Sequence, residues 1–337
     1  MGGRVIMRRG RAWTAQTFGE PADVLEIDEA SWGDPAPGTI LVEVEACGVG
    51  LPDLFMTRGV YPIVTAPPVN PGQEVSGRVI SVPEGSGFAV GDRVMGLTIY
   101  GDGWWRGGLA DYAFVQEKKC LHVPDNMSAE AAAGFTICFR TAHAALVERV
   151  PVISGSTVLV LGGAGSSGAA AIQLAKARGA TVIAIAGSDE KLSFCREQGA
   201  DFALSYRTPA WQDKVIEITK GAGVDVIFDP VGGEAAANAV KAIGRNGRIA
   251  LIGFASGSWL DLNTQDMVLR NYSAIGVFSG GFSSDEEAAA YTELAKLGAS
   301  GAVRTPLGKV FEFDDAMSAI ESLNAPSAGK TVVRVKS

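Results

Sequence analysis

The stretch LVLGGAGSSGAAAIQLAK, residues 159–176, limits what this chain can fold into more than any other part of it. An apolar run, a glycine-rich turn and an Ala-rich run follow one another without a break. That order predicts a buried strand, a tight turn and a helix. Gly163, Gly165 and Gly168 meet the spacing G-x-G-x-x-G. The spacing alone is a weak signal, but between a strand and a helix inside a βαβ unit it is a strong one. The reason is geometric. Glycines let the backbone turn tightly and come close to a pyrophosphate, and the helix N-terminus adds unpaired N–H groups and the positive end of its dipole. Gly163, Ala164, Gly165, Ser166, Ser167 and Gly168 are therefore the expected cradle for the phosphates of a dinucleotide.

The surrounding pattern supports a doubly wound parallel sheet. TVIAIA (181–186), FALSY (202–206), VDVIFDPVG (224–232), GRIALIG (247–253) and YSAIGVF (272–278) read as strands. Helical runs such as DEKLSFCREQG (189–199) and EAAANAVKAIG (234–244) separate most of them. This alternation implies an α/β unit with right-handed crossovers. Residues 11–135 have a different texture. Short runs such as TILVEVEACGV (39–49) and ADYAFV (110–115), divided by Gly, Pro and Asp, predict a β-rich barrel or sandwich-like domain. The segment 127–150 is helical in pattern, with Ser128 as its start. The tail returns to a helix and a strand and is expected to pack on the N-terminal domain. The expected division is 1–135 with 300–337 for the catalytic domain, and 136–299 for the dinucleotide domain.

A chain of 337 residues has room for two such cores. The formal net charge is −8, and the only basic cluster is MRRGR at 7–11, so neither nucleic acid nor an anionic membrane is the expected partner. No apolar run reaches the roughly 18 residues of a membrane span. Cys47, Cys120, Cys138 and Cys195 form no C-x-x-C pair. With an opening too charged for a secretory signal, they read as reduced thiols of a cytoplasmic protein.

The end of the second strand bears on the coenzyme. An NAD site puts an acidic residue there, to accept from the ribose 2′-OH. Here Ala186, Gly187 and Ser188 stand at that end, and Asp189 begins the next helix. Ser188 can donate to a 2′-phosphate and Lys191, one turn on, carries the matching charge. NADPH is the expected cofactor.

Beyond these runs, PGQEVSGRVISV, FAVGDRVMGL, GGLADYAFV and the terminal GKTVVRV complete a pattern over residues 11–336. It resembles the medium-chain dehydrogenase/reductase superfamily and, within it, the zinc-independent NADPH:quinone oxidoreductase (zeta-crystallin-like) branch. The resemblance implies a chaperonin-10-like domain plus a Rossmann domain, and a homodimer formed through YSAIGVF as an edge strand. It implies that Ser188, Lys191 and Tyr206 surround the adenosine 2′-phosphate. It assigns Gly253, Phe254 and Ala255, together with Val277, Phe278 and Ser279, to the nicotinamide side, with Thr141 as a further cofactor contact. Tyr61 matches a tyrosine near nicotinamide and substrate and is the candidate proton donor. The sequence departs from the branch at Gly50, where relatives commonly have Asn, at Phe55, where some have Tyr, and at Cys138, where many have Thr.

Zinc relatives carry a histidine ligand where Gln73 stands. Cys47 matches their first ligand, and Cys138 falls near a third ligand position. A neutral amide is a poor zinc donor, and neither His122 nor His143 lies at a ligand position. No bound metal is expected, Cys47 is read as a small buried residue, and Asp53 as part of its turn. Hydride transfer to a quinone or enone fits a site without a strong Lewis acid. Two alternatives stay open: an enoyl-thioester or biosynthetic tailoring reductase, and a non-catalytic NADPH-binding protein. Trp104 and Trp105, in a Gly-rich loop, are read as a cap favouring a large apolar substrate.

Overall fold

Among the described residues, fifteen strands and the helices between them follow the two textures of the sequence. The computed structural model describes residues 7–101, 104–325 and 328–336. The side chains of Tyr100, Trp104 and Trp105 lie outside that description, so the expected cap at Trp104 and Trp105 falls beyond the described residues.

In the first unit, β1 (Arg8–Ala15) and β2 (Leu25–Trp32) form an antiparallel pair. The main sheet is built by β3 (Thr39–Val49), β4 (Glu74–Ser81), β5 (Arg93–Gly101), β6 (Trp104–Arg106) and β7 (Tyr112–His122). Strand β3 is its centre, pairing with β4 and β7. Ile40, Leu41, Val42, Val44, Ala46 and Cys47 are all buried, because both faces of β3 are covered over most of its length; Glu43 and Glu45 are half-buried and pair with Lys336 and Arg78. The helix Leu51–Thr57 leaves β3 at once and returns the chain towards β4.

The second unit contains β8 (Thr157–Val160), β9 (Thr181–Ala186), β10 (Phe202–Ser205), β11 (Val224–Asp229), β12 (Ile243–Leu251) and β13 (Ser273–Gly276). They lie in the order β10-β9-β8-β11-β12-β13 and every pairing is parallel. The chain winds outward from β8 in one direction and from β11 in the other. The switch point between them is where such sheets bind ligands, at the C-terminal ends of the strands. Val158, Leu159, Val160, Ile183, Ile227 and Phe228 are fully buried in this sheet. The chain then returns to the first unit through β14 (Leu307–Glu312) and β15 (Lys330–Arg334), and β15 pairs antiparallel with β3.

The two compact units differ from the sequence-read division mainly at helix Ser284–Ala299 and at the short segment Ser300–Pro306. Residues through Ile137, Ser283–Ala299 and Leu307 onward form one unit, whereas Cys138–Phe282 and Ser300–Pro306 form the other. Helix Ser284–Ala299 follows the last βα alternation in sequence, yet it packs with the β-rich unit. Lys118 donates to Ser284 Oγ at 3.1 Å, and Gly298 sits against the Phe135 ring. The helical pattern over 127–150 is interrupted as well: Ala129–Ala133, capped by Ser128, stops at Gly134, Thr136–His143 follows, and Ala144–Arg149 is a π-helical turn. Among the described residues no helix is long and apolar enough to cross a membrane.

Candidate active site

The glycine-rich turn has the geometry that a pyrophosphate requires. Leu161 N–H bonds to Phe228 O at 3.1 Å, and Gly163 N–H to Ile185 O at 3.0 Å, so the turn is pinned to both neighbouring strands. The left-handed residue is Gly162, with φ of 59°, one position before the triplet counted in the sequence. Helix Ser166–Ala177 then starts at Gly165 with no side chain capping it. Its first turn, Ser166, Ser167 and Gly168, keeps backbone donors and the positive dipole end for an anion. A Cβ on Gly168 would lie 2.2 Å from Gly162 O, so only glycine lets the helix begin this close to the strand. Ala164 is buried within the turn.

Ser188 and Tyr206 lie at the end of β9, and Lys191 follows in the first turn of the next helix. Ser188 Oγ accepts the Lys191 N–H at 3.4 Å and caps helix Asp189–Glu197, which leaves its own hydroxyl proton to donate. Tyr206 N–H bonds to Ala186 O at 3.1 Å, and the tyrosine ring lies over Gly187. Asp189 is in the first turn of the helix, not at the strand end.

The loops after β11, β12 and β13 meet on the same edge of the sheet. Ile252 and Gly253 N–H groups both reach Asp229 O, at 2.9 and 3.3 Å, and Ala255 N–H reaches Pro230 O at 3.2 Å. Asp229 Oδ1 accepts the N–H groups of Val231 and Gly232, and burial pushes its carboxyl above the usual range. Phe254 packs against Trp259 with ring centroids 4.9 Å apart. Val277 N–H bonds to Leu251 O at 2.9 Å, so Val277, exposed Phe278 and Ser279 leave β13 beside the β12 loop. Thr141 is half-buried on helix Thr136–His143. That helix is tied to the end of β13 through the π-helical turn, where Arg149 Nε donates to Gly276 O at 3.3 Å. Arg140, which the sequence reading passed over, is buried and pairs with Glu148 at 2.8 Å.

In the first unit, Tyr61 follows helix Leu51–Thr57 and packs, half-buried, against the core. Asp53 joins two loops there: its Oδ2 accepts Gly50 N–H at 2.8 Å and its Oδ1 accepts Gly72 N–H at 2.7 Å. Burial pushes the Asp53 carboxyl up to about 6, against those two bonds and the Lys330 charge. Cys47 is fully buried, and burial, then the Asp53 charge, pushes its thiol well above the usual range. Lys330 Nζ lies 2.6 Å from Glu74 Oε1, with the two side chains only 5% and 1% exposed. Glu74 Oε2 accepts Ile137 N–H at 2.8 Å. The sequence reading missed Lys330 as a site residue; the available signal was a charge at the head of the apolar strand KTVVR.

These donors do not fit a zinc ion. Gln73 is a neutral amide, a poor zinc donor, and Glu74 is already paired with an ammonium. Among the described residues no group of three or more His, Cys, Asp or Glu side chains is placed to hold a metal.

Two family models match the chain: an alcohol dehydrogenase GroES-like domain over residues 36–125 and a zinc-binding dehydrogenase domain over residues 168–296. The chain is 31% identical to quinone oxidoreductase-like protein 2 homolog of Nematostella vectensis, over 97% of its own length and 89% of that protein. It is 30% identical to quinone oxidoreductase of Rattus norvegicus, covering 97% of each. The Escherichia coli quinone oxidoreductase complexed with NADPH superposes with a TM-score of 0.86 at 26% identity, over 96% of this chain and 100% of that one. With a GroES-like unit, a dinucleotide-type sheet and likeness along nearly its whole length, the chain belongs to the medium-chain dehydrogenase/reductase superfamily, in its quinone oxidoreductase branch.

Proposed function

We propose that the protein is an NADPH-dependent reductase that delivers hydride to a quinone or to an α,β-unsaturated carbonyl without a metal ion. The observation that carries this reading is the set of groups around Cys47. A fully buried Cys47, a neutral Gln73 and a Glu74 paired with Lys330 stand where a catalytic zinc would need ligands. A conjugated carbonyl asks for less Lewis-acid help than a simple one. Relatives named quinone oxidoreductase, and the NADPH in the Escherichia coli neighbour, support it.

NADPH, when bound, supplies the hydride. The chain's own part is binding, orientation and charge. The uncapped turn 163–168 takes the pyrophosphate. Ser188, Lys191 and Tyr206 take the 2′-phosphate, with Lys191 as counter-charge and the two hydroxyls as donors. Gly253, Phe254 and Ala255, with Val277, Phe278 and Ser279, line the nicotinamide side, and Thr141 adds a contact. As hydride adds to the acceptor, negative charge gathers on its carbonyl oxygen. Tyr61 is assigned to donate its O–H there and so to protonate the product. Asp53 holds the Gly50 and Gly72 loops in register.

The test is NADPH oxidation by metal-free protein with 1,4-benzoquinone, a medium-chain enone, an enoyl-CoA and a simple ketone, and NADH as control. Turnover of quinone and enone with NADPH preferred supports the reading. Turnover of the enoyl-CoA alone assigns the enoyl-thioester alternative, and turnover only after zinc is added overturns the metal-free chemistry. A homodimer through the outer strand β13 belongs to the same proposal. The adjoining helix Thr264–Arg270 exposes Val268 and Leu269 at 74% and 72%, apolar surface that a second copy would cover. Light scattering at the monomer mass would reject it. Four buried free thiols are compatible with the reducing cytoplasm.

A further inference from the structure

Gly187 stands about 20 residues past the third glycine of the phosphate turn, where an NAD site carries its acidic residue. The structure shows what fills the space of that missing side chain. A Cβ built on Gly187 would lie 2.5 Å from Tyr206 Oη and 2.7 Å from its Cε1 and Cζ. Non-bonded carbons settle roughly 3.5–4.0 Å apart, so the ring and any side chain at 187 exclude each other. The backbone below is fixed. Ser205 pairs with Ala186 across the parallel ladder, and Tyr206 N–H is bonded to Ala186 O at 3.1 Å. Only rotation of the tyrosine away from the strand end could make room, and the ring, 52% exposed, has solvent to rotate into.

We infer that Tyr206 determines coenzyme choice by occupying the volume an acidic residue at 187 would need. The strand end thus has two exclusive arrangements. With Gly187 the ring lies on the backbone and its hydroxyl stays at the strand end, over Gly187. With a side chain at 187 the ring is displaced and the hydroxyl leaves. Coenzyme specificity would then be a property of the pair, and changing one member alone would lose the phosphate contact without opening a site for the ribose 2′-OH. This rests on the reading of Ser188, Lys191 and Tyr206 as the 2′-phosphate subsite.

The experiment compares the wild type with Gly187→Ala, Tyr206→Ala, the Gly187→Ala/Tyr206→Ala double variant, and Gly187→Asp with and without Tyr206→Ala. NADPH and NADH affinities are read by fluorescence titration, and a thermal melt checks that each variant is folded. Gly187→Ala adds one methyl group and no charge. With Tyr206 in place it should weaken NADPH by about tenfold, the scale of one hydrogen bond to a charged group. In the Tyr206→Ala background the same change should alter NADPH affinity less than about twofold. Gly187→Asp should gain NADH affinity, by about tenfold or more, only together with Tyr206→Ala. Equal effects of Gly187→Ala in both backgrounds, or full NADH binding by Gly187→Asp alone, would overturn the inference. A wild type that prefers NADH would instead overturn the phosphate-subsite reading on which it stands.

Discussion

Replacing Lys330 with Met would expose how the first unit is held together. The substitution keeps most of the side-chain volume and removes only the ammonium, so packing is a minor part of its effect. Glu74 would then keep the Ile137 N–H but lose its partner at 2.6 Å, at a site only 1% exposed. Lys330 is also the charge that opposes the upward push on Asp53 and Cys47. Removing one member of a buried pair costs about 3–5 kcal/mol, because the remaining charge stays desolvated. For a unit of about 150–250 residues each kcal/mol moves the melting temperature by roughly 2–4 °C, so a drop of roughly 10 °C is expected. The assay is a thermal melt of wild type, Lys330→Met, Glu74→Gln and the double variant. The double variant should cost less than the sum of the singles by about 1–3 kcal/mol, since it leaves no unpaired ion. A Lys330→Met protein melting within about 2 °C of wild type, or strictly additive singles, would refute the claim that this pair is a buried, coupled unit.

Other consequences are as direct. The Asp53 carboxyl, raised from 3.8 to about 6, contributes stability that is complete below about pH 4 and lost as the pH rises through 6. The stability of Asp53→Asn relative to wild type should therefore climb between about pH 4 and 6 by about 3 kcal/mol and level off above; a pH-independent difference would contradict the burial argument. Gly168→Ala should weaken NADPH binding at least about tenfold and cost about 1–3 kcal/mol, because its Cβ would meet Gly162 O at 2.2 Å; coenzyme titration and melting check both. Dialysis against a strong chelator should leave quinone turnover unchanged, whereas elemental analysis finding one zinc per chain, lost together with activity, would refute the metal-free site.

Much of the fold was legible in local sequence, and the reason is range. A strand, a glycine turn and a helix in 159–176 are fixed by neighbours a few residues apart, and they appear where the pattern puts them. Ser128 caps its helix and the last strand pairs with β3, as the same kind of reasoning expects. Departures begin where a contact joins distant segments. Periodicity continues the βα alternation through Ser284–Ala299, but packing on β7 and Phe135 assigns that helix to the other unit. Gly162, outside the triplet counted in the sequence, takes the left-handed turn, which depends on where Leu161 and Gly163 are pinned to β11 and β9.

Residue order alone therefore settles the kind of protein: a β-rich unit, a doubly wound parallel sheet and a phosphate-binding turn, with Gln73 where a zinc enzyme has a ligand. How the individual groups act depends on the folded chain. Folding brings Lys330 from the C-terminal strand against Glu74, uses Asp53 to tie Gly50 to Gly72, and lays Tyr206 on Gly187. Local pattern records which face of a strand or helix is apolar. It does not record which charge is desolvated beside which, nor which ring fills the space of an absent side chain, because both are fixed only when remote strands are brought to van der Waals contact.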